Sequence, residues 1–175
     1  AINNTEECLN NFVDNDIVAV GWSCVSFVEC KNLEEIFAAL DYLDNMAPQS
    51  AGKHKGQISR FLNIKKDDRI VVLFGDSICL AKATGQFDYD DKKEEIDQSN
   101  VAYVEYLRNS NGKILLIPRE FLSEGLQRRL RVRGMTVSDL NEFTVEIERL
   151  FEKGISEKVA SSWRDGLDEI RKDRI

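Results

Sequence analysis

The sequence predicts an α+β domain in which a small curved mixed β-sheet or barrel is flanked by helices. Three observations carry that expectation. β-Branched apolar runs alternate with segments whose apolar residues recur at helical spacing, turn chemistry between two adjacent runs marks a hairpin, and the connections are short. With 175 residues, 42% of them apolar, the chain is long enough to bury one sizeable core. The expected division is a main domain over residues 1–152 and a C-terminal helical extension, or linker to an effector domain, over 153–175.

The elements follow in order. Residues 16–22 (Asp-Ile-Val-Ala-Val-Gly-Trp) are β-branched and apolar with no helical period, which predicts a buried strand. Asn32 is an N-cap candidate with Glu35 three residues on, and Leu33, Ile36, Phe37, Leu40 and Leu43 then recur at helical spacing. Pro48 to Gly56 is polar and glycine-bearing and reads as a loop, before a short helix marked by Ile58, Phe61 and Leu62. Arg69 to Phe74 and Ile78 to Thr84 are strand-like runs joined by Gly75-Asp76-Ser77, so they are expected to pair antiparallel. Gly85 to Tyr89 leads into an acidic loop, and Val101 to Leu107 returns as an alternating strand. A turn at Asn109 to Gly112 precedes a short strand at Ile114 to Ile117. Pro118 then opens a helix carrying Phe121, Leu122, Leu126 and Leu130. Ser138 caps a further helix through Leu140, Phe143, Ile147, Leu150 and Phe151, stopped by Gly154, and a weaker amphipathic pattern continues to the end.

Composition narrows the function. No stretch approaches the ~18–20 apolar residues of a membrane span, and no secretory leader is visible, so a cytoplasmic protein without membrane contact is expected. Ala1 in the first position reads as the start of a processed or excised piece of something larger. The four cysteines form no C-x-x-C pair and His54 is the lone histidine, so neither a metal nor a cofactor is expected. A formal charge of −7 argues against holding duplex DNA by broad phosphate neutralisation, although Arg119, Arg128, Arg129, Arg131 and Arg133 leave a local basic track. Acid pairs such as Asp67-Asp68 and Glu94-Glu95 lie in polar segments with nothing apolar to raise a pKa, and no catalytic constellation stands out.

Four local patterns, in this order, resemble the YTH and EVE domains of the PUA superfamily. They are Val20-Gly21-Trp22-Ser23 closing the first strand; Val71 to Gly75 leading through the hairpin to Phe87-Asp88-Tyr89; Val101-Ala102-Tyr103-Val104-Glu105-Tyr106 followed by Ile117-Pro118; and Arg133-Gly134-Met135-Thr136-Val137 before a long helix. The resemblance covers roughly residues 16–151 and rests on the combined order. It extends to versions fused to modification-dependent (Type IV) restriction endonucleases. It implies a PUA-type sheet and a reader of modified bases in DNA, itself no enzyme, that serves restriction and antiviral defence beside a nuclease or NTPase. One departure stands out: methyladenine-reading YTH domains carry a tryptophan in the loop after the exit aromatic, and Asp90 to Asn100 here has no aromatic. The identity of the modified base therefore does not carry over.

A base held outside the duplex needs aromatic faces, a short polar group to read its edge, and cations for the flanking phosphates. The pocket candidates are Trp22, Ser23, Cys24, Phe74, Tyr89 and Tyr103, with Gln57 and His54 nearby. Trp22 falls in strand register with Val18 and Val20, so its other reading is core packing; Ser23 and Cys24 equally suit a turn, and Phe74 and Tyr103 are weaker candidates that suit a core better. Tyr89 is preferred to Phe87 because a hydroxyl tolerates a wet rim. Arg131 and Arg133, extended by Lys53 and Lys55, are the phosphate candidates, with solvated positions as the alternative. The expected partner is double-stranded DNA carrying a modified base. The rival expectations are an RNA-binding module and an acidic protein-interaction domain of a defence complex.

Overall fold

The structure is a computed structural model that describes residues 6–44, 48–131 and 136–154. It is the α+β fold expected, with an antiparallel sheet flanked by helices. The elements are α1 (Glu6–Asp14), β1 (Ile17–Val20), α2 (Leu33–Asp44), α3 (Pro48–Leu62), β2 (Arg69–Phe74), β3 (Ser77–Tyr89), β4 (Asn100–Tyr106), β5 (Leu116–Pro118), α4 (Glu124–Leu130) and α5 (residues 144–154). Short 3-10 helices occupy Asp91–Ile96, Arg119–Phe121 and Asn141–Phe143.

Strand order is β1-β4-β3-β2, with β5 also on β3. β1 runs antiparallel to β4, with Ile17 opposite Tyr103 and Val20 opposite Asn100. β2 and β3 are neighbours joined by only two residues, Gly75 and Asp76, a connection that only an antiparallel pair permits. Gly75 takes φ 58, the left-handed backbone such a tight turn requires. The predicted hairpin is therefore present, although Ser77 belongs to the strand.

The chain divides into two compact units, each assembled from three stretches. The first comprises residues 1–68, 82–105 and 131–139. Its core packs Val20, Val25 and Phe27 against Ile36 and Leu40 of α2 and Ile58 and Phe61 of α3. Phe61 meets Phe27 and Phe87 edge-on, with centroids 6.4 and 5.5 Å apart. The second unit comprises residues 69–81, 106–130 and 140–175, and its core joins Ile78 and Leu80 of β3 to Leu122, Leu126, Ile147 and Phe151. Within it, Arg69 lies over the Phe151 ring and bridges Glu148 at 3.0 Å.

Local chemistry explains most boundaries. Asn32 caps α2 as expected, its Oδ1 accepting from the Glu35 N–H at 2.9 Å, while Glu35 reaches back to the Lys31 N–H at 2.9 Å. β4 alternates as predicted, burying Ala102, Val104 and Tyr106 and exposing Glu105. Three expectations need correction. Pro48 to Gly56 is the first part of α3 and no loop: proline is harmless at a first helical position, and the buried face of Gln57, Ile58 and Phe61 holds the helix despite Gly52 and Gly56. Pro118 opens only a 3-10 turn, and α4 begins at Glu124, after Ser123 caps it by accepting from the Leu126 N–H at 3.2 Å. The strand expected over residues 16–22 ends at Val20, because Trp22 adopts φ 62.

Candidate functional site

The β1/β4 register builds the site. Because Val20 stands opposite Asn100, the chain leaving β1 at Gly21 crosses the chain entering β4. Asn100 is 1% exposed and ties the crossing together. Its amide donates to the carbonyls of Gly21, Trp22 and Val25 at 3.3, 3.3 and 3.1 Å, and its Oδ1 accepts from the Phe27 N–H at 2.9 Å. A tight turn results, with the Val25 N–H donating to the Trp22 carbonyl at 3.1 Å. That turn, and no strand pleat, presents the Trp22 indole, which still packs with Val18 and Val20 on the core of this unit, as the core reading expects.

The acidic segment arrives from the other side. Asp90 caps the 3-10 helix Asp91–Ile96, and Asp97 ends it in the left-handed conformation, φ 53. Asp97 Oδ1 accepts from the Ser23 N–H at 2.9 Å. The same carboxylate lies so close over Gly21 that any Cβ there would collide with it. Gly21 is thus a point of close approach, and the approaching group is the chain's own Asp97.

Trp22, Ser23 and Cys24 line a hollow of about 580 Å³ together with Gly21, Glu94, Asp97 and Thr136. Trp22 is half-buried, packing against Phe27 at 6.4 Å and edge-on to His54 at 5.5 Å. Its Nε1–H donates to His54 Nδ1 at 3.4 Å, so His54 stands on α3 beside the indole and not in a solvated loop. Gln57, 2% exposed, also lies on α3 and accepts from the backbone N–H groups of Thr136 and Val137, anchoring the segment that brings Thr136 to the rim.

Tyr89 is a strut of this site and lies outside its lining. Its hydroxyl is 2.6 Å from the Ser23 carbonyl and 2.7 Å from Glu94 Oε1, joining the turn to the acidic helix. Burial and the Glu94 carboxylate push this hydroxyl up to about 12, so it stays a donor above the pH at which a free phenol ionises. Ser23 is buried, with its Oγ accepting from the Ser99 N–H at 3.1 Å, and its side chain is thereby engaged in the fold.

The remaining candidates are dispersed. Phe74 ends β2 in the second unit and has no part in the lining. Tyr103 points its hydroxyl at Asp88 Oδ2, 3.2 Å away, since alternation turns it from the face that buries Ala102 and Val104. Lys55 is paired with Asp41 at 3.6 Å and lies over the Phe37 ring, whereas Lys53 is exposed. Arg131 is exposed after α4, and Arg133 falls outside the described residues. Arg128 and Arg129 are held by Glu124 and Glu142. The sequence reading takes Glu94 only as a solvated acid and Thr136 only as part of the resemblance, and it does not single out Asp97 or Asn100. The single usable signal was the glycine before Trp22.

Comparison with known protein families, curated proteins and solved structures gives no match. Among the described residues no cluster of His, Cys, Asp and Glu could hold a metal ion, and no helix is long and apolar enough to cross a membrane. What remains is the chemistry of the hollow: one partly accessible indole, a tight turn and two carboxylates. Such a surface can stack a planar ring and accept hydrogen bonds from its edge.

Proposed function

We propose that this chain is a base-reading domain of the YTH/EVE kind it resembles, which takes a modified base from DNA and lodges it against Trp22. The observation that carries the proposal is the hollow of about 580 Å³ beside a half-buried indole. That volume lies within the ~300–1,000 Å³ range of small-molecule pockets. Unstacking a base costs a few kcal/mol, and one aromatic face returns roughly 1–3 kcal/mol. The turn that presents the indole has a left-handed backbone at Trp22, which costs a residue with a side chain about 1 kcal/mol or more and is sustained here by the Asn100 bonds.

Phosphate contacts fall to Arg131 and Arg133, extended by Lys53 and Lys55, and a track of about four cations gives a shallow salt dependence. In this role the domain targets a linked nuclease or NTPase in restriction and defence, in the cytoplasm, and performs no chemistry itself.

The test is a binding panel of short duplexes carrying N6-methyladenine, 5-methylcytosine, 5-hydroxymethylcytosine or glucosylated cytosine against an unmodified control. One modified duplex should bind preferentially, and Trp22→Ala should lower that preference by about ten-fold or more. Unchanged discrimination by Trp22→Ala refutes the pocket. Preferential capture of single-stranded RNA favours the RNA-binding alternative, and absence of nucleic-acid binding at low salt favours a protein-interaction domain.

A further inference from the structure

The polar side of the hollow is acidic, and a carboxylate is selective about what it meets. Asp97 Oδ1 is committed to the Ser23 N–H and Glu94 Oε1 to the Tyr89 hydroxyl. The second oxygen of each carboxylate has no hydrogen-bond partner among the described residues, and both side chains line the hollow. Ionised carboxylates accept hydrogen bonds and donate none, so they hold N–H groups and repel carbonyl oxygens and phosphates. Bases differ in this respect. Adenine, cytosine and guanine present an exocyclic amine with two N–H donors, whereas thymine and uracil present a single ring N–H flanked by two carbonyl oxygens that a carboxylate repels.

Resting on the base-reading function above, we propose that Asp97 and Glu94 are specificity-determining residues that select a base bearing an exocyclic amine and reject thymine and uracil. The segment that the family resemblance would furnish with an aromatic instead supplies these two acceptors, which makes edge recognition polar where a closed cage would make it apolar. A modification that leaves one amine hydrogen keeps its donor, and one that replaces both loses it. The arrangement is fixed by short links: the left-handed Asp97 cap, its bond to the Ser23 N–H, and the Tyr89 bond to Glu94.

The experiment uses the full 175-residue chain and short fluorescent duplexes with one unpaired central cytosine, adenine, thymine or uracil, read by anisotropy. Cytosine and adenine should bind about ten-fold tighter than thymine and uracil, the scale of one charge-assisted hydrogen bond. Asp97→Asn and Glu94→Gln are near-isosteric, retain the acceptors for Ser23 and Tyr89, and place asparagine where a left-handed backbone is tolerated. At least one of the two should narrow the preference to within about two-fold. Equal binding of all four bases by the wild type, with Trp22→Ala still abolishing binding, overturns this inference and leaves base reading standing. Retention of the full preference by both variants overturns it as well. Binding indifferent to Trp22 overturns the base-reading function and the inference together.

Discussion

Asn100 decides more than its position suggests. The two N–H donors of a single buried amide are shared among three carbonyls, and its oxygen accepts one N–H, of the turn that carries Trp22. Alanine leaves those groups without their partner in a site closed to water, and one orphaned buried group costs about 1–3 kcal/mol. Urea unfolding of Asn100→Ala should therefore show a loss of about 2–4 kcal/mol. A loss under about 1 kcal/mol would mean that the turn holds itself. In the sequence Asn100 is one more polar residue before a strand, because side-chain bonds across 73 to 79 positions leave no local pattern. Trp22, Ser23 and Cys24 were candidates for a different reason: the resemblance places a base pocket at the end of the first strand, and the Gly21-Trp22 pair stands there. Glu94 and Asp97 looked solvated because their partners, Tyr89 and the Ser23 backbone, come from other elements.

At the scale of elements, legibility followed periodicity. α2 and β4 have strong repeats and appear as expected, as does the hairpin, whose turn residues impose their own geometry. α1 has little more than Leu9 and Val13 as buried anchors and was not anticipated. α3 is the instructive failure. Its first half is polar with two glycines, and tertiary packing of its second half overrides weak propensity. Gly52 should accordingly be a liability that alanine repairs: a Cβ there meets nothing within 4 Å. Thermal unfolding of Gly52→Ala should report stabilisation of about 0.5–1 kcal/mol. Destabilisation would imply that the glycine is needed for something other than the helix.

For the whole molecule, alkaline pH is the informative axis. Burial raises the Cys79 thiol from 9.0 to about 12, and burial with the Glu94 carboxylate raises the Tyr89 hydroxyl from 10.0 to about 12. Both groups hold their protons more tightly when folded, so their contribution is complete below pH 9 and drains away as pH climbs towards 12. Melting temperature should fall across that window, and Tyr89→Phe should flatten its upper part, between 10 and 12. A wild-type curve that is level to pH 12 contradicts both shifts. The α+β class was legible at this scale because it needs only the alternation of element types. The partition into two units was not, since each gathers three separated stretches and β3 supplies residues to both. That interleaving governs how the protein can be dissected. Neither half exists as a continuous fragment, so truncation from either end at any point between 75 and 100 would strip strands or helices from both units at once. Loss of binding in such a series would report collapse wherever the ligand sits, and only single-residue replacements can map it.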